Sequence, residues 1–272
     1  MKLLTTGSLA LLALLMAITA TAQCPQENKA FKAGEHLEYN LYFNWKFVWI
    51  KCGTASYDMK RATYKGKSGL YNHLLFRTNP KFDKFFCLRD TLDSYMTDEL
   101  VPEHFFKASL EGKRHRIEDV TYSYPDGKSR VRIRYVDPDG KQKITNETRQ
   151  SGCIYDMMSM MAVARSWNPS DWKTGHRMQF PMTASDRVQS VAVVYRGKKK
   201  EKMDDSHTYN CLVFSILDWE DKKSDKEILR FFFTDDDNHV PLRIDFNLKF
   251  GTAKAFLTRS QGLRNLQTSI VK

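Results

Sequence analysis

The chain has 272 residues, 42% of them hydrophobic, 28% charged and 12% aromatic. That composition excludes a disordered or collagen-like chain, and the length suits one large β domain or two small ones. Lys and Arg number 43 against 32 Asp and Glu, a formal net charge of +11.

The chain opens on a targeting signal. Lys2 supplies a basic start and Leu9 to Ile18 is an unbroken apolar run. A membrane-spanning helix needs roughly 20 apolar residues, so this run is too short to be an anchor. Ala20-Thr21-Ala22 fits the small-x-small cleavage rule, which predicts a signal peptide over 1–22 and a mature chain from Gln23. The rival is lipidation of Cys24, but a lipobox wants Gly, Ala or Ser where Gln23 stands. No later apolar stretch reaches spanning length, so the mature protein is expected to be a soluble, exported protein of the periplasm or cell envelope. Export also redirects the reading of the positive charge. Anionic lipid or envelope polymer becomes the expected polyanion, and nucleic acid is not expected.

The body reads as β. Leu37, Tyr39, Leu41, Phe43, Trp45, Phe47 and Trp49 alternate with Glu38, Asn40, Tyr42, Asn44 and Lys46. Period-two alternation is the signature of a half-buried strand. This one is long enough to require either a curved strand or a hairpin bend within it. Read as one strand, Tyr39 to Trp49 would line one face over roughly 33 Å at about 3.3 Å per residue. Asn79 to Phe86 reads as a short helical or irregular turn. Val120, Tyr122 and Tyr124 lead into Pro125-Asp126-Gly127, and Val131, Ile133 and Tyr135 lead out, interleaved with Arg130, Arg132 and Arg134. Pro presets one turn dihedral and Gly permits a positive φ, so this is a hairpin. Asp137-Pro138-Asp139-Gly140 repeats the device.

Tyr155 to Trp167 lacks Gly and Pro, is rich in Met and Ala, and has Asp156 at its start, which predicts the one clear helix. Its methionines read as core packing. Gln189–Tyr195, Cys211–Leu217 and Ile228–Phe233 are further strands. Leu242, Ile244, Phe246, Leu248 and Phe250 are expected to face inward on another, with Arg243, Asp245 and Lys249 facing water. No linker or repeat interrupts the chain. The expected architecture is a single all-β, mainly antiparallel domain over 23–272, with curved sheets forming an open barrel or sandwich and one covering helix near 155–167.

Chemical motifs are sparse. The five cysteines, Cys24, Cys52, Cys87, Cys153 and Cys211, form no CxxC, and either disulfides or buried thiols are open to them. The seven histidines show no HxH or HExxH spacing, no GxSxG occurs, and Gly66-Lys67-Ser68 and Gly127-Lys128-Ser129 lack the first glycine of a phosphate loop. Asp235-Asp236-Asp237-Asn238 lacks calcium-loop spacing and reads as a polar turn. No cofactor, metal site or catalytic residue is therefore expected.

Phe31-Lys32-Ala33-Gly34-Glu35, then Leu37, Tyr39 and Gly53-x-Ala55, resemble the opening of an exported bacterial family known as domain of unknown function 3108. Leu100-x-Pro102-x-x-Phe105, Tyr155-Asp156-Met157 and Cys211-Leu212-Val213 continue the pattern in order. Phe233-Thr234-Asp235-Asp236 through Val240-Pro241, Ile244 and Phe250-Gly251 close it. The resemblance spans roughly residues 31 to 257. It implies a Gram-negative envelope protein, of Bacteroidetes type by its Ala-Gln junction, and no reaction.

Three function classes stay open. One is a non-enzymatic binder of an apolar or lipid-like ligand, with Trp45, Phe47 and Trp49 as the binding residues. Another is a structural or assembly factor that binds anionic envelope polymers through Arg130, Arg132 and Arg134. The last is an enzyme of dispersed residues, for which Glu35, His36 and Glu38 are the nearest acid–base groups. Peripheral association with the envelope fits the first two.

Overall fold

Short turns join most consecutive strands, so neighbours in sequence become neighbours in space. The computed structural model describes residues 24–217, 226–248 and 251–271. The expected signal peptide over 1–22, together with Lys249 and Phe250, lies outside them. Eight strands form a first meander: β1 (His36–Trp45), β2 (Val48–Tyr64), β3 (Lys67–Thr78), β4 (Leu88–Met96), β5 (Pro102–Glu111), β6 (Arg114–Ser123), β7 (Ser129–Val136) and β8 (Gln142–Arg149). Six form a second: β9 (Arg177–Ala184), β10 (Arg187–Lys202), β11 (Thr208–Leu217), β12 (Glu227–Thr234), β13 (Pro241–Leu248) and β14 (Gly251–Gln261). β14 pairs with β1, which fuses both meanders into one antiparallel sheet of 14 strands ordered β8 to β1, then β14 to β9.

The sheet curls without closing. Its edge strands, β8 and β9, are consecutive in sequence, and side chains clasp the β9–β10 turn to the first meander. Glu118 of β6 accepts from the Ser185 amide at 3.2 Å, Glu147 of β8 accepts from the Val188 amide at 3.1 Å, and Lys143 pairs with Asp186 at 2.5 Å. This is the open barrel expected from the strand pattern.

Two helices interrupt the strands. α1 (Pro80–Asp83) is a single turn capped by Asn79, within the predicted turn region. α2 (Met157–Arg165) begins at the predicted Asp156, whose carboxylate accepts from the Met158 and Ser159 amides, while Ser159 answers the Asp156 amide. The helix covers the core with side chains that reach residues of both meanders. Met158, Met160, Ala162 and Val163 pack with Leu37, Met59, Leu92 and Phe105, whereas Met161 meets the cluster of Val193, Phe214 and Phe233. α2 thereby joins buried side chains of both meanders in the core.

Two local expectations change. The alternation from Leu37 to Trp49 is a hairpin, with Lys46 and Phe47 at the turn, so the aromatic row is divided between two strands. On β13, Leu242 occupies a bulge opposite Phe232 and packs with Val213 and Phe232, while Ile244 packs on the other side with Phe231 and Phe233. Leu248 is exposed. Arg243, expected in water, is mostly covered: it pairs with Asp245 at 2.6 Å and stacks over Phe232.

Candidate functional site

The β1–β2 hairpin projects from one rim of the sheet. Its central residues, Lys46 and Phe47, have φ of 46° and 74°, a left-handed pair that matches the twist of a two-residue hairpin. Neither is glycine. Asn44 steadies the turn by accepting from the Phe47 amide at 3.2 Å. The geometry holds Phe47 98% exposed, followed by Val48 at 61%, Trp49 at 40% and Ile50 at 41%. Trp45 ends β1 opposite Val48, and its side chain lies outside the described residues.

Cations surround this apolar tip. Lys46 and Lys51 are exposed at its two ends. The Lys254 ammonium of β14 sits 4.4 Å from the Trp49 ring centroid, a cation–π contact, and burial lowers its pKa. The α1 loop is tied to the same rim, since Asn79 Nδ2 donates to the Lys51 carbonyl and Phe82 meets the Phe43 ring. That loop carries exposed Lys81, Lys84 and Phe85. Of the three residues expected to bind an apolar ligand, the structure brings Phe47 and Trp49 to one exposed tip. Val48 and Ile50 join them, and sequence reasoning missed both. The signal was present: four consecutive apolar residues break the alternation where neither face of a strand can bury them all.

The arginine face divides. Arg130 and Arg132 of β7 are exposed, but Arg134 is held by Asp119 of β6 at 3.2 Å, and Asp119 also meets His104 at 2.9 Å.

The acid–base groups near the start of β1 separate in the same way. Glu35 is fully buried against Arg165, the largest wholly buried side chain, through contacts of 2.5 and 2.8 Å. Burial disfavours the Arg165 charge, but the Glu35 carboxylate outweighs it and raises the guanidinium pKa. Arg165 also donates to the Asn238 carbonyl, and Tyr39 and Tyr57 line its surroundings. His36 faces outward between Glu38 at 3.1 Å and Asp58 at 3.0 Å. The hydrogen bond to Glu38 raises its pKa against the opposing effect of burial.

A polar cleft of about 210 Å³ opens between Asn168–Ser170, Lys198 and Asp235–His239. Two of its aspartates are structural. Asp235 pairs with Lys198 at 2.8 Å, and Asp236 accepts from Thr234, Asn238, Thr268 and Ser269. Carboxyls raised by burial lie elsewhere, on β4, on β6 and at the start of α2. Burial pushes Asp90 up to about 6 and raises Glu118. Neither lines the cleft. No cluster of three potential metal ligands occurs among the described residues.

Comparison with known proteins adds a family and a fold. The sequence matches the family described as "Protein of unknown function (DUF3108)" over residues 38–258. No curated protein matches. A β-barrel-like protein of domain of unknown function DUF1849 from Brucella abortus superposes with a TM-score of 0.59 at 11% identity, covering 90% of this chain and 100% of its own. At that identity the likeness is one of fold alone. A candidate exported protein with a YmcC-like fold from Bacteroides fragilis gives a TM-score of 0.33 at 9% identity, covering 87% of this chain and 99% of its own.

Proposed function

The chain belongs to DUF3108, a family of proteins of unknown function, and we propose that it is an exported, non-enzymatic envelope protein that binds an apolar, lipid-like partner at its β1–β2 tip. One observation carries this reading: Phe47, Val48, Trp49 and Ile50 are all exposed in succession. Soluble proteins rarely leave contiguous apolar surface bare, and such patches mark interaction sites. A rim site is favoured over an interior one because the side chains of α2 belong to the buried core.

The disulfide between Cys24 and Cys153 supports export, because such bonds persist in oxidising compartments. It also engages the one sulfur that a lipid anchor would need. A second reading, capture of an anionic envelope polymer, keeps support from exposed Arg130 and Arg132, with Arg134 already paired.

The test is partition into uncharged dodecyl maltoside micelles, read as protection of tryptophan fluorescence from acrylamide. Wild type should gain protection, and Trp49→Ser should lose that gain. Equal quenching of wild type with and without micelles overturns the reading.

A further inference from the structure

We infer that the partner of the β1–β2 tip is the surface of an anionic lipid bilayer, into which the tip inserts while its lysines meet the headgroups. This rests on the reading of the tip as a site for an apolar partner and names that partner.

The apolar character of the tip has no preferred side. Successive strand residues point to opposite faces, so Val48 and Ile50 share one face of β2 and Trp49 takes the other. Phe47 crowns the turn. A docking site for a folded protein needs one apolar face and leaves the reverse polar. A hairpin apolar on both faces and at its end suits an apolar medium that surrounds it.

The dimensions and charges agree. From Val48 to Ile50 the strand rises roughly 7 Å at about 3.4 Å per residue, with Phe47 beyond it at the turn, within the depth reached by interfacial segments. Lys46 and Lys51 bracket that span, and the Lys254 ammonium lies over Trp49. Tryptophan favours the headgroup level of a membrane, and lysines there are drawn to anionic lipid. The α1 loop, tied to β2 through Asn79, adds exposed Phe85 with exposed Lys81 and Lys84. Aromatic and cationic residues thus occur together at this rim. The formal net charge of +11 gives the molecule the matching sign.

Co-sedimentation of the oxidised protein with vesicles tests this, using phosphatidylcholine alone and phosphatidylcholine mixed with phosphatidylglycerol. Wild type should bind the anionic vesicles about tenfold or more tightly than the neutral ones, and added salt should erode the difference. Lys46→Glu/Lys51→Glu should lose that preference. Phe47→Ser/Trp49→Ser should weaken binding to both vesicle types while leaving the melting temperature unchanged, since both side chains are exposed. Micelle binding without preference for anionic vesicles overturns the bilayer assignment and leaves the apolar reading standing. Binding to neither micelles nor vesicles overturns both. A dimer that Phe47→Ser/Trp49→Ser dissolves, with no vesicle binding, assigns the tip to a second copy of the chain and overturns the inference.

Discussion

Arg165 and Glu35 show how one residue pair organises the interior. The guanidinium has lost water on all sides, and its charge is tolerated because Glu35 meets it with two oxygens and Asn238 offers a carbonyl. The pair links the segment preceding β1 to the end of α2, so it locks the helix onto the core. Asp90 on β4 is the opposite case, a half-covered carboxyl lifted to about 6 by burial. Its folded pKa lies above the unfolded value near 3.9, so the protonated form is favoured in the native state. Stability from this group is complete below about pH 4 and is lost as pH rises through about 6. Asp90→Asn should therefore stabilise the protein by about 1–3 kcal/mol at pH 8, with the gain fading near pH 4. Urea melts at the two pH values check this, and an equal effect at both refutes it.

At the scale of elements, β2 and β3 depend on a close approach that only glycine permits. A Cβ on Gly53 would stand 2.2 Å from the Arg77 carbonyl oxygen and 2.8 Å from the Thr78 Cα, both backbone atoms that cannot move aside cheaply. Gly53→Ala should cost about 1–3 kcal/mol by thermal or denaturant unfolding. Gly34, with open space where its Cβ would stand, meets no such obstruction, though its φ of 98° still favours glycine. The β1–β2 turn makes the contrasting point. Lys46 and Phe47 take left-handed backbone without being glycine or asparagine, so turn chemistry gave no warning of the hairpin there. At Pro125-Asp126-Gly127 the turn residues were the expected ones, and the hairpin between β6 and β7 fell where the sequence placed it.

For the whole molecule, the Cys24–Cys153 disulfide spans 129 residues and ties the start of the described chain to the approach to α2. It thus links the segment before the first meander to the segment between the two. Closing so long a loop restricts the unfolded ensemble, and Cys153→Ser should cost about 2–5 kcal/mol. Peptide mapping without reductant should recover one cross-linked pair, Cys24 with Cys153. Cys52, Cys87 and Cys211 should be recovered as thiols, with half-exposed Cys87 alkylated first.

The sequence alone determined the class of fold, the strands β1, β6, β7 and β10 to β13, the helix start and the family, and left β3, β4, β5, β8, β9 and β14 unread. Those properties depend on local alternation, on capping and turn residues, and on strands that pair with their neighbours in the chain. Tertiary structure decided what local pattern cannot encode. It brought β14 beside β1 and set the β9–β10 turn against β6 and β8. It brought the end of α2 against the segment before β1, so that Arg165 met Glu35 across 130 residues of chain. It also turned Phe47 and Trp49 outward. An alternating row states which residues share a face, but whether that face meets core, helix or water depends on what the remote chain brings to it.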